Sequence, residues 1–198
     1  MTSTRPRLTA GERRQAVLDT ACRVFSRSSY RGATTAEIAR EAGITEPILY
    51  RHFGSKRDLY LACLEEAWRD LRAVSEDAVA KSPETCLGAV ADAYMERRSN
   101  LRLVDLWVQA LSESEDTVIA EALRRQIREV HAFFADLIRD GQARGIVAAD
   151  RDPVAEAWIF IAGGLLATMD ARLGLVGDEL LRVRAERRRW MHAGPPPA

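Results

Sequence analysis

Residues 28–60 read SSYRGATTAEIAREAGITEPILYRHFGSKRDLY, with three helix starts and two glycine stops crowded together. Thr34 and Glu37 form a capping-box pattern, and Ile38, Ala39 and Ala42 give the helix that follows an apolar face. Gly43 supplies the residue that a left-handed helix terminus prefers, so it ends that helix. Only Ile44 separates Gly43 from Thr45, an N-cap followed by Glu46 and Pro47, which first turns accept. Leu49 and Phe53 lie four apart and face inward with Ile44, while Tyr50, Arg51 and His52 point elsewhere on so short a helix. Gly54 ends it. Ser55 with Asp58 launches a long helix through Leu59, Leu64, Ala67, Trp68 and Leu71 towards Lys81.

Working outward, helical spacing continues almost throughout and no period-2 strand emerges, so the fold class is all-α. A first helix opens at Thr9 with Glu12, buries Val17, Ala21, Val24 and Phe25, and ends near residues 28–32. Beyond Pro83 the pattern predicts helices at roughly 84–98, 101–112, 115–144, 152–173 and 176–191, punctuated by Asn100, Ser112 to Ser114, Gly145 with Pro153, Gly174 and Gly177. Residues 194–198, GPPPA, cannot continue a helix. A supporting helix, then helix, tight glycine turn and helix, is the pattern of a helix-turn-helix, and predicts DNA binding; a plain helical hairpin is the alternative.

The chain has 198 residues, 47% hydrophobic and 29% charged, close to the globular norm and outside the disordered classes. Its 29 Lys+Arg balance 29 Asp+Glu, which taken whole argues against a protein that coats nucleic acid. Residues 1–60 nevertheless carry 11 Lys+Arg against 6 Asp+Glu, and residues 61–198 carry 18 against 23, so +5 and −5 cancel. Cys22, Cys63 and Cys86 form no CxxC pair, and each reads as a small buried apolar residue in a reducing compartment. There is no N-terminal apolar run and no 18-residue uninterrupted apolar stretch, so a cytoplasmic protein with no membrane partner is expected.

The string closely resembles the DNA-binding signature of the TetR (tetracycline repressor) family of bacterial transcription regulators. The resemblance rests on Gly32, Thr34, Thr35, Ile38, Ala39, Ala42, Gly43, Ile44, Thr45, Leu49, Tyr50, His52, Phe53, Ser55 and Lys56, and extends over roughly residues 8–70. Pro47, where many relatives carry Gly or Ala, and Ile48, in place of a small polar residue, depart from the pattern. Helix starts at Thr34/Thr35, Thr45 and Ser55 present unpaired N–H groups that suit phosphates, with Lys56 adding charge. The resemblance implies that Tyr50 and His52 lean on the DNA backbone, and that Thr45, Glu46, Pro47, Ile48 and Arg51 sit in or beside the major groove. Arg51 could read guanine and Glu46 could accept from cytosine, whereas Pro47 and Ile48 could touch only a thymine methyl or shape the groove. Packing on the first helix is the competing role for Tyr50, and partial burial for His52. Arg5 and Arg7 are either a solvated tail or a minor-groove arm.

The resemblance further implies an N-terminal helix-turn-helix domain over residues 1–56, joined to a helical regulatory, ligand-binding and dimerisation domain over residues 57–198. A small-molecule effector would enter among the middle helices, where Tyr94, Trp107, Phe134 and Trp158 are large side chains and Asp105, His131 and Asp170 are polar groups in apolar settings; core packing, or a protein partner, is the alternative for each. The last two helices would form the homodimer interface, with Gly163 and Gly164 permitting close approach. The expected function is a ligand-responsive regulator, a repressor released from a palindromic DNA operator, needing no cofactor or metal. The rivals are an enzyme, a helical adaptor and a ligand-independent regulator. No GxSxG, HExxH, GxGxxG, Walker A or paired CxxC occurs, and His52, His131 and His192 lack metal-ligand spacing.

Overall fold

Thr9 caps the first helix as its spacing predicts: its hydroxyl oxygen accepts the Glu12 N–H at 3.2 Å and the Glu12 carboxylate accepts the Thr9 N–H at 2.8 Å. In the computed structural model, residues 9–97, 100–113 and 115–192 are described. Arg5, Arg7, Ser114 and residues 194–198 lie outside them. Nine helices are present among the described residues: α1 (Ala10–Arg27), α2 (Thr35–Glu41), α3 (Glu46–His52), α4 (Lys56–Lys81), α5 (Leu87–Arg97), α6 (Leu103–Leu111), α7 (Thr117–Ala143), α8 (Pro153–Leu173) and α9 (Glu179–Met191). The extended pairing described is one isolated bridge, Val147 with His192. The all-α reading therefore holds.

Two starts are later than the spacing predicts, for local reasons. The chain from Ser82 to Gly88 closes two turns, Thr85 N–H to Ser82 O and Gly88 N–H to Thr85 O, and Cys86 takes φ +42°, so α5 waits until Leu87. Ahead of α9, the Asp170 carboxylate accepts the N–H groups of Val176 and Gly177, at 2.7 and 3.0 Å, and holds those residues outside the helix. Gly43 adopts φ +67°, the left-handed conformation expected of it.

The chain divides into two compact units, and the division falls within α4, α6 and α7. The first comprises Met1–Ala67 and Asp105–Leu123. Its core joins Phe25 of α1, Ile38 of α2, Leu49 of α3, Leu59 and Tyr60 of α4, Leu106 of α6 and Ile119 of α7, all fully buried. Phe25 and Tyr60 meet edge to face at 4.9 Å between ring centroids, and Tyr30 meets Tyr60 at 5.0 Å. The buried Tyr60 hydroxyl donates to the Leu106 carbonyl at 2.7 Å.

The second unit comprises Trp68–Val104 and Arg124–Ala198. Val90, Leu103, Val130, Phe134, Ile138, Ala157 and Leu180 are buried there. Glu156 of α8, buried, takes the Arg187 guanidinium and the Trp190 indole N–H of α9, while Asp92 of α5 takes Arg184 and Arg188. Gly141 is a close approach: a Cβ there would stand 2.7 Å from Val147 Cγ2. α8 is long and apolar enough to cross a membrane by length and composition alone, and most of its apolar length is not buried within the protomer.

Candidate nucleic-acid interface

The candidate interface is built on α2, α3 and the start of α4. Leu49, fully buried, and Phe53 anchor the inner face of α3, which leaves Thr45, Pro47, Tyr50 and Arg51 exposed and Ile48 and His52 half-buried on its other sides. Thr45, exposed, starts α3 with no hydrogen bond from its side chain to the helix. Thr34 is exposed and its oxygen accepts the Glu37 N–H at 3.1 Å. Ser55, half-buried, accepts the Asp58 N–H at 3.0 Å, which starts α4 at Lys56.

The side chains of Thr35 and Glu46 are engaged with each other. Thr35 is only 8% exposed. Its hydroxyl lies 3.1 Å from the Tyr50 hydroxyl and also bonds the Glu46 carboxylate. Since a carboxylate only accepts, the Thr35 proton points to Glu46 and the Tyr50 proton to Thr35. The chain Tyr50, Thr35, Glu46 thus ties α2 to α3, and a cytosine amine would have to compete with Thr35 for Glu46.

Lys56 is half-buried against Tyr30, its ammonium 4.6 Å from the ring centroid and 3.5 Å from the Arg31 carbonyl that it donates to. Burial lowers its pKa, and the Glu113 carboxylate nearby works against that fall. Arg31 and Arg57 were not anticipated as members of this region. Each bonds an acid of the second stretch of the unit, Arg31 Nε to Glu113 and Arg57 Nε to Asp116, both at 3.0 Å. Arg40, in the last turn of α2, is also exposed beside the turn. The adjacency of Arg57 to Lys56 was a local signal; the acids that meet these cations come from far along the chain.

The residues expected around an effector fall in both units. Asp105, half-buried, and Trp107, buried, belong to the first; Tyr94, His131, Phe134, Trp158 and Asp170 belong to the second. In the second unit Tyr94 is buried with its hydroxyl 3.2 Å from that of Thr168, and Phe134 packs on Phe160 at 4.6 Å. His131 stacks on the exposed Trp158 at 4.3 Å and its Nε2 bonds the Val154 carbonyl at 2.9 Å. Asp170 holds the turn before α9. Gly163 is exposed with open space at its Cβ position, and a Cβ on Gly164 would make an ordinary contact with Val104 at 4.0 Å.

Residues 17–63 match the family described as bacterial regulatory proteins, tetR family. The transcriptional activator FasR of Mycolicibacterium smegmatis is 48% identical over 59 residues, 30% of this chain and 27% of that protein. The transcriptional regulator BetI of Agrobacterium fabrum is 40% identical over 68 residues, 34% of this chain and 32% of that protein. The chain thus matches about a third or less of the length of these relatives. A crystal structure of a TetR transcriptional regulator from Chloroflexus aurantiacus is similar over 93% of this chain and 98% of its own, with a TM-score of 0.77 and 25% identity.

Proposed function

Because the chain belongs to the tetR family, whose members are helix-turn-helix DNA-binding transcription regulators and not enzymes, we propose that it is a ligand-responsive repressor, binding a palindromic operator as a homodimer and leaving it when a small molecule binds. The observation that carries this is the outer face of α3, with Thr45, Pro47, Tyr50 and Arg51 exposed on a helix fixed from behind by Leu49 and Phe53. In this reading residues 1–56 bind DNA and residues 57–198 regulate and dimerise. Thr34, Thr45, Ser55 and Lys56, with Tyr50 and His52, take backbone contacts. Arg51 is the chief base reader, its fork suited to guanine, while Pro47 and Ile48 meet methyl groups or shape the groove. Thr35 serves through its backbone N–H, its hydroxyl being engaged with Glu46.

A helix-turn-helix contacts half an operator, so a two-fold dimer is needed for two half-sites. Exposed apolar residues of α8 and α9, among them Trp158, Leu173, Leu181 and Trp190, together with the open Gly163, support these helices as the dimer face. That reading also accounts for the apolar length of α8 in a protein working in the cytoplasm. An effector that prefers the conformation with wrongly spaced heads lowers operator affinity by its differential affinity for the two states.

The test is selection of genomic fragments bound by the full chain. A palindrome with half-sites about one helical turn apart is expected, bound by two copies and released by a compound linked to neighbouring genes. A non-palindromic site bound by one copy would overturn the dimer, and binding to no fragment would overturn the operator.

A further inference from the structure

Asp105–Leu123, the second stretch of the first unit, holds five carboxylates, Asp105, Glu113, Glu115, Asp116 and Glu121, and neither Lys nor Arg. It brings the unit to 11 Lys+Arg against 13 Asp+Glu, so the excess of positive charge in residues 1–60 is cancelled within the same compact body. The cancellation is local. Glu113 accepts from Arg31 Nε and Asp116 from Arg57 Nε, both at 3.0 Å, and these two arginines flank Lys56 at the start of α4.

The partners are unequal. Glu113 is buried, with the Ser112 hydroxyl 3.3 Å from its carboxylate, and Asp116 Oδ1 caps α7 by accepting the N–H groups of Val118 and Ile119, at 3.1 and 3.2 Å. The carboxylates are therefore fixed. The arginine side chains are 70% and 46% exposed. A guanidinium grips carboxylate and phosphate oxygens with the same fork, and the arginine ends of both pairs are open to solvent, so a DNA phosphate can take the place of the acid.

We propose that Glu113 and Asp116 are internal stand-ins for phosphate, holding Arg31 and Arg57 in the free protein and thereby weakening its grip on non-specific DNA. The proposal rests on the DNA-binding reading above. The long-range attraction that draws any duplex to the head depends on uncompensated charge, and Arg31 and Arg57 begin already compensated. An operator that docks α3 brings its phosphates close enough to exchange for the two carboxylates.

The experiment is binding of a random-sequence duplex, followed by fluorescence anisotropy across a salt series, by the full chain and its E113Q, D116N and E115Q variants. Asn keeps the cap on α7, and Glu115, exposed on the same stretch, undergoes the same change of charge. E113Q and D116N are each expected to bind roughly threefold tighter than E115Q at about 100 mM salt and to steepen the log–log salt slope by roughly one. Adding R57Q to D116N should return affinity and slope to those of R57Q alone. Equal behaviour of E113Q, D116N and E115Q, or weaker binding by the first two, would overturn the stand-in. Failure of the unaltered chain to bind duplex at any salt concentration would instead remove the DNA-binding reading on which it stands.

Discussion

The Thr35 hydroxyl has two duties, giving its proton to Glu46 and taking that of Tyr50. Replacing it with Val removes the only hydroxyl in the middle of this chain and leaves the half-buried carboxylate short of a donor, at a cost of about 1.5 kcal/mol, which urea unfolding would register. Thr35→Ser should restore most of it; equal losses in both variants would point to packing. The start of α1 offers a pH test. The Thr9 backbone N–H, then its hydroxyl, hold the Glu12 carboxyl below its ordinary pKa. A lowered native value means stability that is present above the ordinary glutamate range, near pH ~4.3, and is lost as pH falls through the native value. Amide exchange at Arg13, measured against intrinsic rates, should therefore show less protection on acidification, and Glu12→Gln should make that protection flat with pH. The cap at Thr9 was legible because its partner lies three residues away; the inward turn of Thr35 was not, because Glu46 and Tyr50 reach it only after the chain has turned at Gly43.

Among the elements, α4 has the most mixed surroundings: its first turn carries Lys56 and Arg57, and its second buries Tyr60 against Phe25 and Tyr30. Burial raises the Tyr60 phenol well above its ordinary pKa, so the hydroxyl remains a donor to Leu106 through the alkaline range. Tyr60→Phe removes that one bond while the ring stays packed. A loss of about 1 kcal/mol, seen as a lower urea midpoint with unchanged slope, is the expected result. Local patterns of this kind of chain predict its helices well: caps and glycines act within a turn, and the nine observed helices sit close to where those signals place them. The displaced starts of α5 and α9 needed Cys86 at positive φ and the Asp170 carboxylate six residues before Val176, which apolar spacing does not encode. The ion pairs of Arg31 and Arg57 were equally hidden, since they join residues more than fifty positions apart.

For the whole molecule, the proposed dimer turns on a glycine with nothing beside it. Because a Cβ on Gly163 meets nothing within 4 Å beyond its chain neighbours and the backbone of its own helix, Gly163→Leu should leave the protomer as stable, or more stable by about 0.5–1 kcal/mol through helix propensity. If α8 packs on a second copy there, sedimentation at micromolar concentration should find monomers, and operator affinity should fall with it; an intact dimer would place the interface elsewhere. Large residues at helical spacing do not tell buried from exposed positions, since buried Phe134 and exposed Trp158 give the same signal in sequence. The discontinuous first unit also bears on how the protein is made. Residues 1–67 leave the ribosome without Leu106, Trp107 and Ile119, which complete their core. At 5–20 residues per second the missing segment follows on the order of seconds later. During that interval the nascent head exposes the apolar surface around Phe25 and Tyr60, so translation speed across residues 68–123 governs how long it is open to chaperones and to aggregation.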